Sequence, residues 1–323
     1  MDTAAPSAPS LTLASDTNNG SDSITSNGTI NIAGLESDAV WQYNFDGGSV
    51  WTDGVDSSVS VEGDGVVAIH VRQLDLAGNI SNTSSLSFTL DTAAPSAPSL
   101  SLAADTNIGS DNITNSGAIN VAGLESDATW QYSLDGSTWS NGSGSSVSVE
   151  GDGSKSIQVR QMDVAGNVSA SGSLSFTLDT AAPSAPSLTL ASDTNLGSDS
   201  ITSNGTINVA GLESDATWQY SLDGSTWTNG SGSSVSVEGD GSKTVQVRQM
   251  DVAGNVSSAG SLSFTLDTAA PSAPSLSLAS DTNLGSDSIT SNGTINVAGL
   301  ESDSTWQYSL DGSTWSNGSG SSV

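Results

Sequence analysis

The sequence predicts an all-β protein made of tandem immunoglobulin-like β-sandwich domains arranged end to end. The motif DTAAPSAPSL begins at Asp2, Asp91, Asp179 and Asp267, so the chain repeats itself. Each repeat contains short β-branched segments separated by Gly, Asn, Asp and Ser, and no segment keeps the period of an amphipathic helix. Short strands with frequent turns in a repeat of about 90 residues are typical of an immunoglobulin-like sandwich.

The spacing of the motif defines the predicted domains. Successive copies begin 89, 88 and 88 residues apart, which suits a small independent β domain and exceeds most solenoid repeats. The predicted domains are residues 2–90, 91–178, 179–266 and 267–323. The fourth domain is truncated, because it ends before the segments that form the last three predicted strands of the other repeats.

The strands are predicted from alternating apolar and polar residues and from β-branched composition. In the first repeat they are, in order, 10–14, 29–35, 39–45, a short strand near 50–52, 58–63, 66–75 and 85–90. Trp41 and Tyr43 lie two residues apart, as do Trp130 and Tyr132 in the second repeat. Residues at this spacing share one face of a strand, so we predict that these aromatic side chains lie in the core.

The connection between domains is short and rich in proline. Leu90 ends the last strand, Asp91 follows it, and Pro95 and Pro98 precede the first strand of the next repeat. Proline fixes φ and stiffens short linkers. The sequence therefore predicts domains held end to end rather than joined by flexible linkers.

The composition excludes several classes of partner. The chain has 35 acidic and 5 basic residues and a formal net charge of -30, so we expect neither nucleic acid nor an anionic membrane surface to bind it. No apolar run approaches the roughly 18–20 residues of a membrane span. The chain has no cysteine, so neither a disulfide nor a thiolate metal site can support its core. Cations are the natural counterpart of such a chain.

An acidic loop follows the first strand of every repeat. Residues 15–25 read SDTNNGSDSIT, and near-copies begin at residues 104, 192 and 280. Asp16, Asn18 and Asp22 place side-chain oxygens around Gly20, which lets the loop fold inward. Like charges this close repel each other, so a cation between them would stabilise the loop.

The direction of the strands predicts where acidic segments meet. If strands run alternately down and up, the first loop, the turn at Asp46, the turn 62–65 and Asp91 lie at one end of a domain. GLESD at 123–127 and DVAGN at 163–167 then lie at the facing end of the next domain. Calcium suits this junction, because it takes about six to eight oxygen ligands in flexible geometry. Magnesium prefers fewer protein ligands, and zinc prefers His and Cys.

The predicted calcium ligands fall into three groups. The first loops and linkers supply Asp16, Asn18, Asp22, Asp91, Asp105, Asn107, Asp111, Asp179, Asp193, Asn195, Asp199 and Asp267. The GLESD-type segments supply Glu125, Asp127, Glu213, Asp215, Glu301 and Asp303. The DVAGN-type turns, whose sequence is also a good hairpin turn, supply Asp75, Asn79, Asp163, Asn167, Asp251 and Asn255. The alternative is that all of these are solvated turns, because Asp, Asn, Gly and Ser dominate turns for backbone reasons.

Four motifs in order, DTAAPSAPSL, DTNNGSDSITSNGTINIAGLE, WQYNFDGG and VRQLDLAGN, resemble the bacterial immunoglobulin-like repeats of giant surface adhesins. The resemblance covers essentially the whole chain. It implies a calcium-stiffened extender region of an RTX-type adhesin that is exported by type I secretion to the bacterial cell surface. Such a region projects a distal adhesive domain for biofilm formation or attachment. The implied partners are calcium ions and neighbouring repeats, while a glycan or surface ligand would bind domains outside this chain.

Carbohydrate binding is the alternative function. Each repeat carries a second tryptophan after a DG turn, namely Trp51, Trp139, Trp227 and Trp315. Exposed rings at these positions would stack on sugars, whereas rings that cover the edge of the sandwich would not.

An enzyme is not predicted. His70 is the only histidine, and the matching positions of the next two repeats are Gln158 and Gln246. The acidic residues lie in turns, where nothing indicates a deep pocket that would perturb their pKa values. The arginine of each VRQ motif is predicted to screen neighbouring carboxylates on an outer face; these residues are Arg72, Arg160 and Arg248.

Overall fold

The computed structural model describes residues 1–45, 47–282 and 285–323, so the predicted turn at Asp46 lies outside the described residues. Every regular element in these ranges is a β-strand. The described residues contain no helix that is long and apolar enough to cross a membrane.

The first repeat folds as two sheets packed face to face. Its strands are β1 (Ser10–Leu13), β2 (Ile24–Thr25), β3 (Thr29–Ala33), β4 (Val40–Asn44), β5 (Thr52–Asp53), β6 (Ser58–Ser60), β7 (Gly65–Leu74) and β8 (Ser84–Leu90). One sheet has the order β1-β3-β6 and the other β2-β8-β7-β4-β5. The long strand β7 pairs antiparallel with β4 and β8, which fixes registers such as Tyr43↔Val71 and Ile69↔Leu86.

The core lies between the two sheets and follows the predicted alternation. Along β7, Val67, Ile69 and Val71 are buried, while the residues between them face outward. Trp41 is only 4% exposed and belongs to this core, and Tyr43 is half-buried and packs against it. Trp130 and Tyr132 occupy the same places in the second repeat. The prediction of core aromatic residues is therefore confirmed.

The prediction of seven alternating antiparallel strands is wrong. An eighth strand, Ile24–Thr25, pairs in parallel with Thr89–Leu90. The chain crosses from the three-stranded sheet to the five-stranded sheet between β1 and β2, and the first loop is this crossing. Two residues are too few to show a sequence period, which is why β2 was not predicted. The pairing places the end of the first loop beside the strand that leads into the linker.

The chain divides into two compact units. The first unit comprises Met1–Ser184, Glu213–Thr217 and Gln249–Ser258, so it holds two complete sandwiches and two loops of the third repeat. The second repeat contributes β9 (Ser99–Leu102), β10 (Ile113–Thr114), β11 (Ala118–Ala122), β12 (Thr129–Ser133), β13 (Ser140–Asn141), β14 (Ser146–Ser148), β15 (Gly153–Met162) and β16 (Gly172–Leu178). Its sheets, β9-β11-β14 and β10-β16-β15-β12-β13, repeat the order of the first sandwich.

The second unit comprises Ala185–Leu212, Trp218–Arg248 and Ala259–Val323. The strands of the third repeat are β17 (Ser187–Leu190), β18 (Ile201–Thr202), β19 (Thr206–Ala210), β20 (Thr217–Ser221), β21 (Thr228–Asn229), β22 (Ser234–Ser236), β23 (Gly241–Met250) and β24 (Gly260–Leu266). They form the sheets β17-β19-β22 and β18-β24-β23-β20-β21. The chain is thus a series of tandem β-sandwich domains with one strand order.

The fourth repeat is an open half-sandwich in its described residues. Its strands, β25 (Ser275–Leu278), β26 (Ile295–Ala298), β27 (Gln307–Tyr308) and β28 (Ser316–Asn317), form two two-stranded sheets. In the complete repeats, β7, β8 and their counterparts extend the sheet beside β4, and their inward side chains complete the core. In the fourth repeat, a cavity of about 350 Å³ is lined in part by Leu276, Val297, Trp306 and Trp315.

Candidate functional site

Each first loop contains a buried carboxylate oxygen that has no hydrogen-bond partner. In the first repeat, Oδ2 of Asp16 accepts a hydrogen bond from the backbone N–H of Ser23 at 3.3 Å, while Oδ1 is buried and unpaired. The same unpaired oxygen occurs at the matching positions Asp105, Asp193 and Asp281. A buried anionic oxygen without a donor is unfavourable, and a cation is the simplest group that would satisfy it.

The other predicted ligands of the first loop have roles in its backbone. Oδ1 of Asp22 accepts the N–H of Ile24 at 3.0 Å, as Asp111 and Asp199 do in their repeats at 2.9 Å. Asn18 adopts a left-handed conformation with φ of 63°, which asparagine tolerates better than most residues. Turn geometry thus accounts for part of the D-x-N-x-G-x-D pattern.

The first loop of one repeat contacts the DVAGN turn of the next. Nδ2 of Asn18 donates to the carbonyl oxygens of Asp163 at 3.1 Å and Val164 at 3.2 Å, and the hydroxyl of Thr17 donates to the carbonyl of Ala165. In the next junction the donors are Asn107 and Thr106, and the acceptors are Asp251, Val252 and Ala253. The predicted convergence of these two segments is confirmed at the first two junctions.

The DVAGN turn satisfies its own carboxylate. Oδ1 and Oδ2 of Asp163 accept the backbone N–H and the side-chain amide of Asn167 at 2.8 and 2.9 Å, and Asp163 is only 8% exposed. Asp251 and Asn255 repeat this pair. In the first repeat, the same bond from the Asn79 amide lowers the pKa of Asp75. These carboxylates are therefore stabilised without a cation.

The linker is held by hydrogen bonds from both repeats that it joins. The N–H of Asp91 donates to the carbonyl of Thr25 at 3.0 Å, and the carbonyl of Asp91 accepts the amide of Asn167 at 2.8 Å. Its carboxylate caps the N–H of Ala93. Asp179 makes the corresponding contacts with Thr114, Asn255 and Ala181. The linker aspartates are thus part of the junction, as predicted, although through their backbone as much as their carboxylates.

A second aspartate that was not predicted also anchors the linker. Oδ1 of Asp64, in the predicted turn 62–65, accepts both the N–H and the hydroxyl of Thr92, at 2.8 and 2.7 Å. These bonds lower the pKa of Asp64. Asp152 and Asp240 do the same for Thr180 and Thr268. The available signal was the recurrence of a Thr after each linker Asp.

A buried glutamine in each VRQ motif ties the linker to the next sandwich. Gln161 is 0% exposed, and its Nε2 donates to the carbonyls of Ser96 at 2.7 Å and Gly123 at 3.0 Å. Its Oε1 accepts the N–H of Glu125 at 2.8 Å. Gln73 makes the same three bonds in the first repeat. Sequence reasoning missed this residue, because a polar residue in a strand pattern gives no sign of complete burial.

The GLESD segments do not bring their carboxylates into a cluster. Glu125 and Asp127 are exposed. Asp127 has a φ of 64°, a left-handed turn conformation that aspartate tolerates better than most residues, so turn geometry accounts for an aspartate at this position. Asp215 and Asp303 share that conformation, and Glu213 donates its N–H to Gln249. In the fourth repeat, Glu301 instead accepts the N–H of Ser272 at 3.2 Å. Within the described ranges, no three His, Asp or Glu side chains are grouped so that they could hold a metal ion.

The predicted role of the VRQ arginines in screening carboxylates is wrong. The guanidinium of Arg72 lies 4.1 Å from the centre of the Trp51 ring and donates twice to Oε1 of Gln42. Arg160 and Arg248 stack in the same way on Trp139 and Trp227. One face of each half-buried ring is therefore covered by a cation, which is the geometry of a cation–π contact rather than of an open sugar platform. Trp315 is 60% exposed.

Comparisons with known proteins add little to this description. No protein-family model matches the chain, and no curated protein matches it. Among solved structures, it is similar to the fibronectin(III)-like modules of Clostridium thermocellum CbhA, with a TM-score of 0.34 and 12% identity over 53% of this chain and 94% of that one. The strand order of its own sheets makes the chain a tandem immunoglobulin-like repeat protein.

Proposed function

We propose that this chain is the spacer region of a bacterial cell-surface adhesin, in which calcium reinforces stiff joints between immunoglobulin-like repeats. Its role is structural rather than catalytic: outside the cell, it projects a distal adhesive domain for biofilm formation or attachment. The observation that carries the proposal is one set of hydrogen bonds, from a Thr-Asn pair to the next DVAGN turn, that recurs at the junctions formed by the linkers at Asp91 and Asp179.

The hydrogen bonds resist bending because they connect the short linker and the two repeats at several points. At the first junction, Asn18 and Thr17 contact the next repeat directly, while Asn167 and Gln161 hold the carbonyls of Asp91 and Ser96. Each such bond contributes about 1 kcal/mol. A hinge motion at the linker has to break several of them together, so the joint favours one relative orientation of its two repeats.

Calcium is proposed because each first loop holds an unpaired oxygen in a chain of net charge -30. Oδ1 of Asp16 is the oxygen that most needs a cation, and Asp22 lies in the same loop. Because no group of three carboxylates is present in the described part of the chain, the ion would complete its shell with amide, backbone and water oxygens. The bound ion would neutralise the loop that carries the Thr-Asn pair, and so would hold that pair in place.

Calcium removal tests the proposal. We expect calorimetric titration of the chelator-treated chain to detect calcium, and chelation to lower the maximum dimension in small-angle scattering. Magnesium at equal ionic strength is the control, because general screening would act equally with either ion. If calcium bound without any change in scattering, calcium would have no mechanical role in the joint. If no binding were detected, calcium would not be a ligand, and only the hydrogen bonds would hold the joint.

A further inference from the structure

We propose that Asn19, in the first loop of the first repeat, is a modification site at which the chain deamidates spontaneously, and that the product loosens the first junction. This reaction is favoured where glycine follows asparagine, because glycine has no Cβ to hinder its backbone nitrogen. Water is the only co-reactant. The inference depends on the loop itself and requires neither calcium nor the proposed adhesin origin.

The reaction has two balanced steps. The backbone nitrogen of Gly20 loses its proton to the solvent and attacks Cγ of Asn19. A Cγ–N bond forms, the Cγ–Nδ2 bond breaks, and ammonia leaves with a proton from the solvent. Water then opens the five-membered succinimide at one of its two carbonyls. One opening gives aspartate and the other gives isoaspartate, in which the main chain runs through Cβ and Cγ, so either product carries a new carboxylate.

The sequence does not single out Asn19, because asparagine precedes glycine five times in the three complete repeats. These pairs begin at Asn19, Asn27, Asn141, Asn204 and Asn229. Asn19 and Asn141 form a matched comparison, since both are exposed and both begin the tripeptide Asn-Gly-Ser. A difference in their reactivity that exists only in the folded chain therefore comes from the structure.

Both reacting groups of the first pair are free. Within the described residues, neither the side chain of Asn19 nor the N–H of Gly20 makes a hydrogen bond. The carbonyl of Asn19 accepts the N–H of Ser21 at 2.6 Å, a bond that leaves the reacting atoms unengaged. A Cβ added at Gly20 would have the carbonyl oxygen of Asp16 as its nearest neighbour, at 3.8 Å. The backbone nitrogen therefore has room to approach Cγ.

The matching pair of the second repeat is held by its sheet. The N–H of Gly142 donates to the carbonyl of Trp130 at 2.9 Å, and Oδ1 of Asn141 accepts the side-chain amide of Gln131 at 3.0 Å. A Cβ added at Gly142 would lie 2.3 Å from the Trp130 ring, so this backbone is closely packed. Attack on Asn141 would have to break both bonds and displace the packed backbone. The same pair of bonds recurs at Asn229.

The remaining pairs of the complete repeats are packed into the sandwich. Oδ1 of Asn27 accepts the N–H of Thr29 at 3.0 Å, and a Cβ added at Gly28 would lie 2.3 Å from the carbonyl oxygen of Val61. Asn204 is held in the same way, by an equal bond from the N–H two residues later. Asn19 is thus the pair that the fold leaves free to react.

The product loosens the first junction because Asn19 follows the residue that makes the contact. The amide of Asn18 donates to two carbonyls of the next DVAGN turn. Isoaspartate adds one carbon to the main chain beside this residue. Either product also adds a negative charge to a loop that already holds the unpaired oxygen of Asp16. The second junction is exempt, because Ile108 occupies the position that matches Asn19.

Ageing the whole chain in mildly alkaline buffer, with chelator present, tests the site. A glutamate-specific protease then releases the fragments 1–36, 126–150 and 214–238. Tandem mass spectrometry of these fragments locates each asparagine that has exchanged its amide nitrogen for oxygen. We expect Asn19 to react several-fold faster than Asn141 in the folded chain. Equal rates for these two residues would overturn the proposal.

Denaturant supplies the matched control, because it removes the hydrogen bonds that hold Asn141. We expect the rates of Asn19 and Asn141 to become similar in the unfolded chain, and a ratio unchanged by denaturant would contradict the structural explanation. Asn19→Gln is the second control, because glutamine would have to form a less favourable six-membered ring. In that variant, fragment 1–36 should react only at the slow rate of Asn27.

Hydrogen exchange measures the effect on the junction. The turn 163–167 is covered by the loop that contains Asn19, and the turn 251–255 by the loop that contains Ile108. We expect ageing to speed amide exchange several-fold in 163–167 and to leave 251–255 unchanged, and Asn19→Gln to prevent the change. If the chain modified at Asn19 exchanged like fresh protein in both turns, the proposed loosening of the first junction would be refuted.

Discussion

At the scale of single residues, the junction depends more on neutral hydrogen-bonding groups than on the carboxylates that dominate the sequence. Gln161 is completely buried, yet both polar atoms of its side chain have partners in the linker and in the GLESD segment. Asp16 is the opposite case, because one of its oxygens is buried without a partner. A buried polar group stabilises a fold only when it is satisfied, so Gln161 strengthens its junction, whereas the unpaired oxygen of Asp16 is the reason for proposing a cation in the first loop.

Replacing the buried glutamine tests its structural role. Gln161→Leu keeps the volume but leaves the N–H of Glu125 and the carbonyls of Ser96 and Gly123 unpaired, so we expect a loss of about 3 kcal/mol. For a domain of this size, that corresponds to a melting temperature lower by roughly 12–24 °C. Calorimetry should show one sandwich transition separated from the others. Gln158→Leu, on the same strand but half-buried, is the control, and equal shifts for both variants would contradict the assigned role.

At the scale of elements, the sequence predicted seven of the eight strands of a repeat but not their complete pairing. The alternation in 66–75 identifies β7 because a half-buried strand needs a residue pattern of period two. The strand β2 has only two residues, and its partner lies about 65 residues away in sequence, so no local pattern could reveal it. The first loop was predicted at the correct end of the domain. Its crossing from one sheet to the other was not predicted, because that crossing follows from the pairing of β2 with β8.

The edge strand β13 offers a test of packing at this scale. A Cβ on Gly142, which follows that strand, would lie 2.3 Å from Cδ2 of Trp130 in the core. Gly142→Ala should therefore displace the indole from its hydrogen bond to Gly144 and destabilise the second sandwich by about 1–3 kcal/mol. Near-ultraviolet circular dichroism and chemical unfolding measure the two effects.

The control for this prediction is another glycine of the same repeat. A Cβ on Gly109 would come no closer than 3.9 Å to any neighbour, namely the carbonyl of Asp105, and its φ is not positive. Gly109→Ala should therefore change stability by less than about 1 kcal/mol, with a small gain from the less flexible unfolded chain. If both substitutions destabilised the protein equally, close packing on Trp130 would not be the reason.

At the scale of the whole molecule, the chain repeats one β-sandwich, and the residues that join successive sandwiches lie at the ends of each repeat. The sequence indicated these ends correctly, because Asp16, Asn18, Asp91 and Asp163 all lie at junctions. It did not indicate that Asn18 contacts backbone carbonyls, since that depends on how two loops dock. The sequence gives the excess of negative charge. That one carboxylate oxygen of Asp16 is buried and unpaired can be seen only in the folded structure.

The two proposed sources of stiffness, hydrogen bonds and calcium, can be separated at the second junction. Asn107 has a φ of 65°, so Asn107→Gly keeps the loop conformation and removes only the amide that binds Asp251 and Val252. The pair Asp105→Ala and Asp111→Ala removes instead the carboxylates of the same loop. We expect Asn107→Gly to loosen this joint with or without calcium, and the aspartate pair to abolish the response of this joint to calcium.

Distance distributions between spin labels measure this difference directly, because the chain has no native cysteine. Labels at Ser143→Cys and Ser231→Cys report on the second junction, and labels at Val55→Cys and Ser143→Cys report on the first, which is unchanged and serves as the control. Asn107→Gly should broaden only the second distribution. If calcium still narrowed that distribution in the aspartate variant, these carboxylates would not be calcium ligands; if both junctions broadened equally, the first loop would not be the element that holds the joint.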